Sequence, residues 1–434
     1  MRRWLYVIGG LAVVAAGGAA AFFFLPESEA PVSLSAEAPQ GDALIKRGEY
    51  LARAADCVTC HTAPNGEAYA GGLAFKLPFG TIYSPNITPD KETGIGTWSD
   101  ADFVRAVHRG VAKDGHMLYP AFPYASYALL TNDDALAIKA YLFSLAPVKA
   151  QAPANALIFP FNQTYLMRGW RLLFVPNHPM EADSDKSPDW NRGAYLVEAL
   201  GHCGECHTPR NLLYGLDNGK KFSGAEIEGW KAYNISSDPH AGIGGWSNDQ
   251  LATFLSQGHA PGRSSAAGAM EEAIDNSLRY LDHKDIESMV AYLRTIPPQS
   301  DGELSAVNLD PSAVKVSSAY SAAPQENAAN GLGLHMYESA CASCHGWNGV
   351  GIERPQAALL GNHTANDPEA TNLIQVVLNG AHLASPYGAA FMPGFKDAYS
   401  DPELAALSNY VVEHFGAKAP AIRAADVARV RQQD

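Results

Sequence analysis

"CVTCH" at Cys57–His61, "CGECH" at Cys203–His207 and "CASCH" at Cys341–His345 decide how this 434-residue chain is read. Each run puts two thiols within one helical turn and a histidine directly after the second. Thiols so placed can form thioether bonds to the two vinyl groups of one haem, and the histidine then offers its imidazole to the iron from the proximal side. A thioredoxin-like pair or half of a zinc site would use the same Cys-x-x-Cys spacing. Zinc sites bring two such pairs close together and do not add a histidine to each. Here the runs are widely and almost evenly separated, and they consume every cysteine in the chain. The expectation is three covalently bound haem c groups. Cys57, Cys60, Cys203, Cys206, Cys341 and Cys344 hold them, and His61, His207 and His345 are the proximal ligands.

The regular spacing of the runs prompts a search for repeats. "NITPDKETGIGTWS" from Asn86 matches "NISSDPHAGIGGWS" from Asn234, and the step from Asn86 to Trp98 equals that from Asn234 to Trp246. A second step of the same length leads from Trp98 to Gly110 and from Trp246 to Gly258. Upstream, "RGEYL" from Arg47 matches "RGAYL" from Arg192. The third unit is more distant, keeping "GLHMY" from Gly333, the haem run and the Asn379-Gly380 pair. Each unit closes on a helical pattern; in the second, Ile286, Met289, Val290 and Leu293 fall on one face. Each unit therefore reads as helix, haem-binding turn, long loop, short helix, ligand loop and final helix, an all-α design without strand alternation.

An electron-transfer haem needs its sixth position filled, and a methionine thioether raises the potential. Met270 follows Gly258 by that same step, and Met392 follows Gly380 by it too. Both are distal-ligand candidates. The same step from Gly110 reaches Phe122, which cannot ligate iron. In "HMLYPAFPY", His116–Tyr124, the substitute is Met117, the only methionine of that unit. His116 is the alternative, and a five-coordinate iron the third.

Arg2 and Arg3 precede a long uncharged run, Trp4 to Leu25. As a helix this run spans about 33 Å, enough to cross a hydrocarbon core of roughly 30 Å. It reads as an uncleaved anchor with its arginines in the cytoplasm; a cleaved signal peptide is the alternative. The net charge of −14 (31 basic against 45 acidic residues) argues against nucleic acid as a partner. Tyr165–Val175 is apolar except for Arg168, Gly169 and Arg171, and reads as a packed connector or as an exposed patch for a partner or a membrane surface. The expected organisation is an anchor and tether over 1–40 and haem domains over 41–150, 189–298 and 331–418. A hydrophobic connector covers 151–188, a linker 299–330 and a short tail 419–434.

"RGEYLARAADCVTCHTA" from Arg47, "YSPNITPD" from Tyr83 with "GIG" from Gly94, "LYPAFPY" from Leu118, "WNRGAYLVEALGHCGECHTPRN" from Trp190 and "MPGF" from Met392 carry a resemblance. Over about residues 41–418 the chain resembles the triple-haem cytochrome c subunit of membrane-bound periplasmic dehydrogenases. The resemblance implies three tandem class I cytochrome c-like domains. It implies a subunit of the inner membrane's periplasmic side that takes electrons from a catalytic dehydrogenase subunit and passes them to membrane ubiquinone. Phe122 and the long N-terminal run look most like the subunits of molybdopterin-dependent aldehyde dehydrogenase complexes, which also have a small iron–sulfur subunit. Subunits of quinoprotein alcohol dehydrogenases read Met at that place, and they and the subunits of flavin-dependent sugar or gluconate dehydrogenases remain the alternatives. A reading of another class is an autonomous haem peroxidase or reductase, with a vacant iron at the first site and His108 or His116 as its base. A tethered redox sensor is a further class, but no output domain is visible.

Overall fold

Helices that cross at glycines build this chain. The computed structural model describes residues 2–25, 32–300, 331–352, 354–384, 389–416 and 420–433; most of the expected linker lies outside the described residues. Two compact units result: Met1–Ala182 with Glu198–His202, and Asp183–Val197 with Cys203–Asp434.

The first unit holds α1 (Arg2–Phe24), α2 (Asp42–Ala54), α3 (Cys57–Cys60), β1 (Ala74–Leu77), β2 (Gly80–Tyr83), α4 (Asp100–Arg109), α5 (Tyr124–Tyr127), α6 (Asn132–Ser144), β3 (Ala156–Leu157) and α7 (Met167–Phe174). The strands form one antiparallel sheet, with Ala74 opposite Tyr83 and Thr81 opposite Ala156. In the second unit α8 (Pro188–Ala194) continues as a π-helical stretch. It is followed by α9 (Gly204–His207), the hairpin β4 (Ala225–Ile227) and β5 (Trp230–Ala232), and α10 (Asn248–Gln257). Next come the hairpin β6 (His259–Ala260) and β7 (Ser264–Ser265), α11 (Ala269–Asn276) and α12 (His283–Leu293). A third helical set completes the unit: α13 (Gly331–Ala340), α14 (Ala342–His345), α15 (His363–Asn366), α16 (Thr371–Asn379), the hairpin β8 (Ala381–Leu383) and β9 (Ala390–Met392), α17 (Asp401–Phe415) and α18 (Ala424–Arg431).

The same crossing recurs three times. α2 packs on α6, α8 on α12 and α13 on α17. A Cβ at Gly48, Gly193 or Gly333 would overlap the carbonyl oxygen of Ala137, Ser288 or Ala406. Glycine at these points is required by the closeness of the partner backbone, which explains the Arg-Gly and Gly–aromatic lead-ins read from the sequence. Beside two of the crossings sits an ion pair. Arg47 reaches Asp134 at 2.5 Å, and Arg192 grips both carboxylate oxygens of Asp285 at 2.9 and 2.6 Å. The short helices α4 and α10 both start on a reciprocal cap, Ser99 with Asp102 and Ser247 with Gln250. Both stop at a left-handed glycine, Gly110 (φ 60°) and Gly258 (φ 75°).

Helices carry the cores, as expected for an all-α design. The four small sheets among the described residues were not foreseen, because strands of two to four residues are too short to show alternation. The C-terminal stretch, expected as a short charged tail with a possible helix, contains α18. Val427 and Val430 of α18 are fully buried against the core of Tyr337, Tyr410 and Phe415, so this helix completes the third set. The expected connector supplies β3 and α7 to the first unit. α1 covers the run expected to anchor the chain. The side chains of residues 1–5, 8, 9, 12, 16, 19 and 20 lie outside the described set. Among the described residues no helix is long and apolar enough to cross a membrane.

Candidate haem-binding sites

Each Cys-x-x-Cys-His run is a single helical turn. Cys57 and Cys60 bound α3, whereas Cys203 and Cys341 cap α9 and α14. None of the cysteines is in a disulfide. Burial pushes the Cys57 thiol up to about 12 and the Cys341 thiol up to about 11.

The proximal histidines share one arrangement. His61 Nδ1 bonds the carbonyl of Pro85 at 2.8 Å, His207 Nδ1 that of Tyr233 at 2.6 Å, and His345 Nδ1 that of Ala357 at 2.6 Å. A carbonyl can only accept, so Nδ1 carries the hydrogen and Nε2 the lone pair. Burial holds all three imidazoles below their usual pKa, hence neutral at pH 7. Among the described residues, no hydrogen bond occupies Nε2 of any of them. A neutral imidazole fixed through Nδ1, with Nε2 open beside two thiols, is the donor set that haem c requires. The residues present therefore fit the group.

The first two carbonyls are themselves held by an asparagine one residue on. Asn86 Oδ1 accepts from Thr88 N at 2.9 Å, while its Nδ2 donates to Val148 O at 2.7 Å. Asn234 Oδ1 accepts from Ser236 N at 2.8 Å, and its Nδ2 donates to Gln299 O at 2.5 Å. Both side chains are buried. The two asparagines anchored the repeat alignment, yet their task of fixing the carbonyl behind the histidine was not read from the sequence. Their identical place one residue after that carbonyl was the available signal.

The candidate distal methionines lie on different kinds of element. Met270 and Met392 share a spacing from their glycines but not a backbone position. Met392 is in β9, opposite Ala381, the residue directly after Gly380. In the second unit the residue after Gly258 pairs instead with Ser265, and Met270 lies beyond that hairpin, in the first turn of α11. The difference is the longer β8–β9 hairpin. In the first unit the residue after Gly110, Val111, pairs with Met117. Met117 thus occupies the ladder position of Met392, while Phe122, like Met270, lies beyond its hairpin. Met117 is 2% exposed. His116 is exposed and its Nδ1 is tied to Asp114 at 2.5 Å. Phe122 packs among aromatic rings, 5.5 Å from Tyr127. His108 is on α4 and burial lowers its pKa to about 4. Among the described residues, no hydrogen bond joins His108 or His116 to His61.

Two family models match, cytochrome c over residues 45–146 and cytochrome c oxidase, cbb3-type, subunit III over 328–411. Over 92% of its length the chain is 37% identical to the fructose dehydrogenase cytochrome subunit of Gluconobacter japonicus, covering 84% of that protein. It belongs to the cytochrome c subunits of membrane-bound dehydrogenase complexes. This cytochrome subunit is also 38% identical to the cytochrome c subunit of the quinone alcohol dehydrogenase of Gluconobacter oxydans, over 92% of the chain and 84% of the relative. It is 40% identical, over 90% of its length, to a nicotinate dehydrogenase subunit of Pseudomonas putida, and spans 32% of that longer protein. The cytochrome subunit is an electron-transfer component with covalently bound haem c and a catalytic dehydrogenase partner.

Proposed function

We propose that the chain carries electrons from a periplasmic, molybdopterin-dependent aldehyde dehydrogenase to ubiquinone through three haem c groups, one in each of three tandem domains. The observation that carries this is the threefold recurrence of one donor set: two thiols in a helical turn, a neutral histidine fixed through Nδ1, and an open Nε2. Bound haem would supply reversible one-electron transfer. The chain's residues do the rest. The cysteines attach it covalently, the backbone carbonyls orient the imidazoles, and Met117, Met270 and Met392 are the distal ligands. A ligand that stays bound in both oxidation states keeps the iron closed to substrate, which suits transfer rather than peroxide chemistry. His116 lies exposed at the surface with its Nδ1 held by Asp114, and this exposure supports transfer over acid–base work at the first site.

Phe122 and the long N-terminal run support the aldehyde dehydrogenase partner, which brings a small iron–sulfur subunit with it. The uncharged run Trp4–Leu25 supports an inner-membrane anchor, with Arg2 and Arg3 on the cytoplasmic face and the remainder of the chain in the periplasm. The test is to purify the subunit from its native membrane and identify what accompanies it. Three haems per chain, a molybdopterin subunit and an iron–sulfur subunit, with aldehyde-driven reduction of a ubiquinone analogue, are expected. Co-purification of a quinoprotein or a flavoprotein, with turnover of alcohol, fructose or gluconate instead, would overturn the aldehyde reading.

A further inference from the structure

Helix α7 is built inside out. Its two arginines, Arg168 and Arg171, are each 7% exposed, whereas Leu172 and Leu173 are 66% and 67% exposed. A helix on a water-facing surface has the opposite order. The arginines turn inward to donate to backbone carbonyls. Arg168 Nη1 reaches both Phe22 O and Leu25 O at 2.6 Å, and Arg171 Nη1 reaches Arg109 O at 3.3 Å. The leucines are left outside, in company with exposed Leu166, Ile158, Phe159 and Phe161.

Two further observations say what covers this surface. In a chain of net charge −14, no Asp or Glu occurs from residue 151 to 180, and the only charged side chains there are the two arginines. The patch therefore lacks the negative charge that would repel anionic headgroups. Its position is also specific. Arg168 holds the last carbonyls of α1, and the rings of Phe23 and Phe24 lie 6.1 and 5.1 Å from that of Tyr165. The C-terminal end of α1 and the start of α7 are one packed corner. If α1 crosses the bilayer, that corner sits at the bilayer boundary, where tyrosine, tryptophan and arginine are favoured and an apolar helix face can enter the acyl region.

We propose that α7 and the loop 158–161 form a second membrane contact, lying in the headgroup boundary with Leu172, Leu173 and Phe159 turned into the lipid. Arg168 is the positioning residue that couples this contact to α1. The depth of the contact rests on the anchor reading above; the inverted polarity of α7 does not.

The test uses the full-length, haem-loaded chain in liposomes of mixed zwitterionic and anionic phospholipid that contain a photoactivatable lipid, followed by peptide mapping. Labelling of the 158–173 peptide is expected at about tenfold that of the α10 peptide, the factor that burial of a single leucine supplies. The double variant Leu172→Glu, Leu173→Glu should bring it down to the α10 level while three haems remain attached. Label on α1 with none on 158–173 overturns the proposal and leaves the anchor standing. Label on 158–173 with none on α1 supports the proposal and removes the anchor. Loss of the 158–173 label when the dehydrogenase partner is added would assign the surface to that partner, and the proposal would fail.

Discussion

Replacing Met117 by leucine separates ligation from packing at the first site. The side chain is 2% exposed, so its loss to a smaller residue would leave a cavity. Leucine avoids this. Volume-conserving swaps between Met and Leu cost less than about 1.5 kcal/mol, against roughly 2–5 kcal/mol for Met to Ala in a core. The fold and the other two sites should therefore persist, while the donor atom is removed outright. If all three irons take a thioether, about one third of the Met–iron absorption disappears and the first haem turns high-spin. The thioether favours reduced iron, so the potential falls; a hundredfold loss of that preference reads as about 120 mV, at about 59 mV per tenfold for one electron. Optical spectra of both oxidation states and a redox titration supply the assay. His116→Leu in parallel removes a surface pair with Asp114 and should change neither spin state nor potential. A Met117→Leu protein that stays low-spin at the parent potential would show that Met117 is not the ligand. High-spin iron in His116→Leu would transfer the role to the histidine.

Met270→Ala and Met392→Ala should each lower one haem potential and leave three covalent haems; a titration with all three potentials unmoved removes that methionine as a ligand. Asn234→Ala deletes two hydrogen bonds from a buried side chain, a loss of about 1–3 kcal/mol, and should shift the second haem's potential while leaving the first in place. An unshifted second potential would make the asparagine merely structural. Gly193→Val drives a side chain into the Ser288 carbonyl and should destabilise the second unit by more than about 3 kcal/mol; an unchanged denaturation midpoint would contradict the close crossing.

The three Cys-x-x-Cys-His runs stood out in the sequence because covalent attachment to a fixed macrocycle, the role proposed for them, tolerates no change in their spacing. Gly48, Gly193 and Gly333 were legible as a pattern but not as a cause, since the backbone each one touches lies far along the chain. Counting residues from a glycine placed Met270 and Met392 together, yet a count cannot tell a hairpin from a helix. The structure sets one in the first turn of α11 and the other on a strand. A helix over 419–434 could be suspected from the sequence, but two valines three residues apart are too few for a periodic signal that would show what it packs against. The reversal in α7 could not be read from an amphipathic pattern, which gives the two faces but not which one points inward.

The asparagine clamps also have a consequence in time. Asn86 fixes the carbonyl behind His61 by bonding Val148, and Asn234 that behind His207 by bonding Gln299, 62 and 65 residues further along. A chain made from its N-terminus presents each Cys-x-x-Cys-His run well before the residue that completes its clamp. With haem attached at these runs as proposed, its covalent capture and the orientation of the imidazole are expected to be separate events in biogenesis. A chain ended after α6 but before Val148 is expected to retain thioether-linked haem on Cys57 and Cys60. Its electronic spectrum should be that of an iron whose histidine is loosely held, and a native low-spin spectrum from that shortened chain would mean that the clamp is dispensable.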